Sequence, residues 1–116
     1  RGFHGLEFVN LVDFDMLYGH RRDPAGYANA LLEFDKWLSG MLSEIGPRDL
    51  IMITADHGCD PKHAGSDHTR EHVPLIMYSP SLTPGGVGTR EGFYDFEATV
   101  LDALGIKSAL PGVSCL

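Results

Sequence analysis

Five residues in two clusters carry side chains from which a divalent-metal site can be built. Asp56 and His57 lie in the run Thr54-Ala55-Asp56-His57-Gly58-Cys59-Asp60-Pro61. His68 follows in Ser66-Asp67-His68-Thr69-Arg70-Glu71-His72-Val73-Pro74. Asp15 and His20 form a second cluster nearer the N-terminus. A carboxylate supplies negative charge and a neutral imidazole supplies a nitrogen donor, a mix that suits Zn2+ or Mn2+. Two carboxylates and three imidazoles exceed the needs of one tetrahedral ion and suit two ions with open positions. Two such ions close together can clamp the attacking and leaving oxygens of a phosphoryl transfer.

Each residue also has an ordinary reading. Asp-His-Gly is common in turns, where Gly supplies positive φ and Asp bonds its own backbone. Asp15 and His20 could be caps, and Asp13 competes with Asp15 as the acid that matters. His4, His63 and His72 read as surface or packing residues. Arg21, Arg22 and Arg70 either bind phosphate bidentately or pair with Asp23 and Glu71. Cys59 either ligates metal or packs as a thiol, the commoner fate. The metal reading therefore rests on both clusters following buried strands.

The elements that would position them can be read from the apolar pattern. Residues 6–12 (Leu-Glu-Phe-Val-Asn-Leu-Val) read as a strand ending at Asp13-Phe14-Asp15. After a polar turn, Asp23 and Pro24 predict a helix start, a capping side chain followed by Pro at the first helical position. Tyr27, Leu31, Phe34, Leu38, Met41 and Ile45 follow at spacings of three and four, a stripe read as core. Gly46-Pro47 should stop that helix. Residues 49–54 and 73–78 are short apolar runs, read as strands buried on both faces. Ligands gather outside the carboxyl ends of such strands in open α/β sheets, which is where the 54–72 loop would lie. A second helix is expected from Phe93–Phe96 to about Leu104, closed by Gly105. The order of elements predicts an α/β sandwich with a mostly parallel sheet flanked by helices. Three strands are few for such a sheet, so the chain reads as the end of a larger domain.

Composition narrows the class. The chain has 116 residues, 43% hydrophobic and 22% charged, ordinary values for one modest globular domain. A net charge of −7 argues against nucleic acid or an anionic membrane surface as the main partner. No apolar run approaches the roughly 18 residues that span a bilayer. Arg1-Gly2-Phe3-His4-Gly5 lacks the regions of a signal peptide, and there is no initiating Met. Cys59 and Cys115 form no C-x-x-C pair, so free thiols in a reducing, cytoplasmic setting are expected.

The motifs themselves resemble those of a known family. Asn10-Leu11-Val12-Asp13-Phe14-Asp15, with Tyr18-Gly19-His20-Arg21-Arg22-Asp23, resembles the phosphopentomutase family of the alkaline phosphatase superfamily. The runs Ile53–Pro61 and Gly65–Pro74 do so more closely. Asp-His-Gly is shared across the superfamily, whereas the runs around His20 and His68 are more specific. The resemblance covers most of the chain and implies an alkaline phosphatase-like core, of which residues 1–116 are the C-terminal part without the cap domain. It implies Asp15, His20 and His68 as ligands of one metal, and Asp56 and His57 as ligands of the other. It also implies two divalent cations, typically Mn2+, and interconversion of ribose 1-phosphate with ribose 5-phosphate, and of the deoxyribose pair.

In that family a phosphorylated threonine donates its group to the sugar phosphate and regains one from the bisphosphate. No residue here matches that threonine, so no catalytic residue is expected in this chain, and the isolated fragment should be inactive. An uncovered sheet edge should make it self-associate. Two rival readings stand beside this one. One is another superfamily enzyme, either a phosphomutase such as a cofactor-independent phosphoglycerate mutase or a phosphatase. The other is a metal-binding module without catalysis.

Overall fold

Asp23 and Pro24 begin a helix, as their types require. In this computed structural model, which describes residues 3–116, helix α1 spans Pro24–Leu42. The Asp23 carboxylate accepts the Gly26 N–H at 2.9 Å, and Pro24 occupies a position whose N–H would have no helical partner. The helix ends at Leu42, before Gly46-Pro47. Tight turns replace it: Glu44 N–H bonds the Met41 carbonyl at 2.9 Å, and the Asp49 carboxylate accepts the Gly46 N–H at 2.8 Å. Ile45 therefore lies beyond the helix.

The chain divides into two units, Phe8–Leu82 and Thr83–Leu116 together with the first residues up to Glu7. In the first unit, a π-helix at Phe14–Gly19 precedes α1. Phe14 packs its ring against Tyr27 and Phe34 of α1, with centroids 5.5 and 6.4 Å apart. The stripe of α1 thus meets the π-helix, but it is not core. No α1 residue is fully buried, and Leu31 is exposed. One short π-helix cannot cover a helix of this length.

Strands β1 (Ile51–Ile53) and β2 (Ile76–Tyr78) follow. They pair antiparallel, Ile51 opposite Tyr78, Met52 opposite Met77 and Ile53 opposite Ile76. The parallel sheet expected from the sequence is thus corrected for this pair. Parallel neighbours need a crossover, usually helical, whereas the 54–75 connection contains no helix and returns at the same end. Burial on both faces is corrected too. β1 is half-buried and β2 alternates between exposed and half-buried positions, because two strands leave faces uncovered.

The strand expected at 6–12 is not formed. Leu6, Phe8, Val9, Leu11 and Val12 are exposed. An extended apolar run becomes a strand only when a neighbour takes its N–H and C=O groups. Among the described residues the only sheet is the β1–β2 pair. Asp15 accordingly sits in a π-helix and not at a strand end.

The second unit is organised on α2, Tyr94–Ala103. Gly105, with φ +69°, closes it as its sequence position suggested. The buried residues Asp95, Ala98 and Thr99 lie on this helix. The Asp95 carboxylate accepts the Val113 N–H at 2.9 Å and faces Arg90 Nη1 at 3.8 Å. Thr99 Oγ1 donates to the Asp95 carbonyl at 2.7 Å and accepts the Cys115 N–H at 3.0 Å. The C-terminal tail, weak in sequence signals, is thereby fastened to α2. No helix among the described residues is long and apolar enough to cross a membrane.

Candidate metal centre

The π-helix explains how Asp15 meets His20. Residues five apart on an α-helix point about 140° apart, from 3.6 residues per turn. In a π-helix the bonds run from i to i+5, so the same two residues stack. The His20 N–H bonds the Asp15 carbonyl at 2.9 Å, and Asp23 bonds Tyr18 in the same way at 2.9 Å. The side chains follow: Asp15 Oδ2 lies 3.2 Å from His20 Nε2.

His68 arrives from the loop between the strands. Its Nε2 is 3.3 Å from Asp15 Oδ1 and 3.2 Å from His20 Nε2. The three side chains thus converge, the carboxylate turning one oxygen to each imidazole. His20 Nδ1 is 2.6 Å from the Ser66 carbonyl oxygen, which can only accept, so Nδ1 carries the proton. In the neutral ring Nε2 is then bare, and it faces a carboxylate oxygen. Two acceptors in contact repel each other unless a cation or an added proton lies between them. Tetrahedral coordination with ligand bonds of about 2.0–2.1 Å puts neighbouring donors about 3.3–3.4 Å apart. The observed separations and the donor types fit such an ion.

His57 and Asp56 follow β1 directly. The His57 ring stacks on His68, with centroids 3.6 Å apart and an interplanar angle of 19°. Asp15, His57 and His68 offer donor atoms that all lie within 4.8 Å of one another. The His57 Nδ1 is 3.1 Å from the Gly58 carbonyl oxygen, again assigning the proton to Nδ1 and leaving Nε2 as a donor to metal. Asp56 Oδ1 is 3.6 Å from that Nε2, and the Asp56 side chain is 87% exposed. Four of the five candidates therefore form one continuous cluster, with Asp56 joined to it through His57.

The loop is held by contacts that spacing alone did not reveal. Gly58 and Thr69 form an antiparallel bridge. A Cβ on Gly58 would stand 2.6 Å from the Glu71 nitrogen and 2.9 Å from the Thr69 carbonyl, so only glycine fits. Thr69 Oγ1 accepts the Asp60 N–H at 2.7 Å and donates to Glu71. Arg22 donates to the carbonyls of Asp60 and Asp67 at 2.9 Å each, and to that of Gly65. Its guanidinium is a brace for the loop, and neither a partner of Asp23 nor a free phosphate fork. Arg22 is also the one non-glycine residue with positive φ, +56°, among the described residues. Arg21 and Arg70 are exposed.

Cys59 packs beside the cluster, its Sγ 3.7 Å from Asp15 Oδ1. Burial, and then the neighbouring Asp15 carboxylate, raise the thiol's pKa, which keeps it protonated as a donor to Asp15. Burial is also the first cause of the raised Tyr27 hydroxyl pKa, followed by Cys59 and Asp15. Both cysteines are free. An open cleft of about 200 Å³ adjoins the cluster, lined by His57, Cys59, Glu71 and His72 among others. His72 borders this cleft, although its sequence position suggested no role.

Residues 1–108 match the metalloenzyme superfamily. The chain is 59% identical over 104 residues to a phosphopentomutase of Anaeromyxobacter sp. strain K, covering 90% of this chain and 27% of that protein. It is 56% identical over 103 residues to a phosphopentomutase of Symbiobacterium thermophilum, covering 88% and 26%. It is 54% identical over 115 residues to a phosphopentomutase of Levilactobacillus brevis, covering 98% and 29%. The chain thus spans well under a third of the length of these relatives.

Proposed function

The chain belongs to the metalloenzyme superfamily, and on that basis we propose that it is the C-terminal part of the core of a phosphopentomutase. The observation that carries this reading is the convergence of Asp15, His20 and His68 at 3.2–3.3 Å, inside a chain 54–59% identical to phosphopentomutases. The proposed reaction interconverts ribose 1-phosphate and ribose 5-phosphate, and the deoxyribose pair, in the cytoplasm.

Asp15, His20 and His68 would hold one divalent cation, and Asp56 and His57 would contribute to a second. Bound there, two cations, with Mn2+ the expected choice, supply polarisation of phosphoryl oxygens and offset the charge of an anionic substrate. The chain's own residues prepare the donors. Ser66 and Gly58 carbonyls hold the Nδ1 protons of His20 and His57, so that both Nε2 lone pairs face the cluster. The Cys59 thiol donates to Asp15 and orients its carboxylate. The threonine that carries the phosphoryl group in the family has no match among these 116 residues. The nucleophile would therefore come from elsewhere in a longer polypeptide.

The test compares two proteins. The full-length protein is expected to convert ribose 1-phosphate with Mn2+ present and to leave 3-phosphoglycerate untouched. Turnover of 3-phosphoglycerate instead would establish the rival phosphoglycerate mutase. The 116-residue chain alone should bind Mn2+, self-associate through its exposed apolar residues in sedimentation, and show no turnover. Measurable turnover by it would refute the placement of the nucleophile. The small share of each relative that the chain spans also favours the metal-binding-module description for the isolated chain.

A further inference from the structure

We propose that Arg22 is a positioning residue for the metal centre, acting through the backbone of the loop that presents His68. The proposal rests on the metal reading given above and names what assembles that site. Three donors of the Arg22 guanidinium reach three separate carbonyls: Nε bonds Gly65, Nη1 bonds Asp60 at 2.9 Å and Nη2 bonds Asp67 at 2.9 Å. The Ser66 carbonyl, between Gly65 and Asp67, is taken by His20 Nδ1 at 2.6 Å. Three successive carbonyls are thus held from residues 20–22, and the next residue is His68.

This arrangement couples two ligands that lie far apart in sequence. The Ser66 carbonyl fixes the tautomer and orientation of His20, and the guanidinium fixes the peptide units on either side of Ser66. Loss of the guanidinium would free the carbonyl that orients His20 and the segment that delivers His68. Partners that orient a ligand in this way govern metal affinity almost as directly as the ligands do. Arginine suits the task because its donors form a rigid planar fork, whereas lysine offers a single flexible point. The ordinary pairing with Asp23 is not made, since all three guanidinium nitrogens are turned to loop carbonyls. Retention of a large side chain at φ +56°, where glycine would be unstrained, fits a side chain kept for its contacts.

The decisive measurement is a Co2+ titration of the full-length protein and two variants, read by the visible absorption of the bound ion. Arg22→Gly removes the guanidinium at a backbone angle glycine favours. Arg22→Lys keeps the charge without the fork. For the Co2+ signal that Asp15→Asn abolishes, both variants are expected to bind about 10–100-fold more weakly, with an altered spectrum. Added guanidinium, well below the molar concentrations that unfold proteins, should restore part of the affinity in Arg22→Gly. If Arg22→Gly fails to fold, Arg22→Lys decides the matter alone. Wild-type affinity and spectrum in the folded variants would overturn the proposal. Absence of any Co2+ signal in the wild type would instead overturn the metal reading itself, and this proposal with it.

Discussion

The loop that carries His57 and His68 and the C-terminal tail are both irregular segments fastened by side chains, but they are fastened in opposite ways. In the tail, acceptors on a helix take backbone N–H groups, and those acceptors are buried: Asp95 is 6% exposed and Thr99 is 0% exposed. In the loop, an arginine and a histidine donate to carbonyls, and the bonds are exposed to water. A hydrogen bond shielded from water loses more when one partner is removed, because the other is left unsatisfied. A single exposed bond is exchanged for one to water at little cost, so a loop held this way depends on several acting together, as the three from Arg22 do. The tail should therefore be held by its own chemistry, while the order of the loop should depend on what binds between Asp15, His20 and His68.

Three substitutions would break or sharpen that contrast. The largest effect is expected from Asp15→Asn, which removes the charge that joins His20 to His68. Metal affinity at that site should fall by more than about 100-fold, beyond the loss seen for residues that merely support a ligand. Calorimetric titration with Mn2+ checks this. Unchanged affinity would show that the loop is not organised around the ion. Thr99→Val, next in size, keeps shape but leaves the Cys115 N–H without its acceptor. It should destabilise the tail by about 1–3 kcal/mol, seen as faster amide exchange at Val113 and Cys115. If exchange there is unaltered, burial is not what secures the tail. Gly65→Ala should have the smallest effect. With φ at +96° the added Cβ is strained, although nothing lies within 4 Å of it. A loss of about 1 kcal/mol is expected, visible in thermal unfolding and as weaker Mn2+ binding. An alanine variant that melts and binds like the wild type would show that the loop tolerates a different turn.

The legible parts of this molecule are those written by neighbours in sequence. Asp23-Pro24 marks a helix start because cap and first turn adjoin, and Gly105 marks an end for the same reason. The apolar runs around Ile51–Ile53 and Ile76–Tyr78 announce their strands. The side-chain types of Asp15, His20, His57 and His68 suggest a shared site before any fold is known. What escaped was decided at a distance. Residues 6–12 have the composition of a strand but no paired neighbour. The direction of β2 was set by a loop with no helix in it. The role of Arg22 was hidden because its partners are carbonyls 38–45 positions away, and a carbonyl leaves no mark in the identity of its residue. The π-helix escaped because nothing in Phe14–Gly19 distinguishes it from an α-turn.

That π-helix has a meaning in terms of insertions and deletions. Four positions separate Asp15 from His20, and the wide turn brings the two side chains together despite the extra residue. A chain one codon shorter between them would place the same pair four apart, where an ordinary α-helix already makes them neighbours. An alignment gap of one or of two codons at 16–19 would therefore leave the pair on one helix face, four or three positions apart, and only a longer gap would part them.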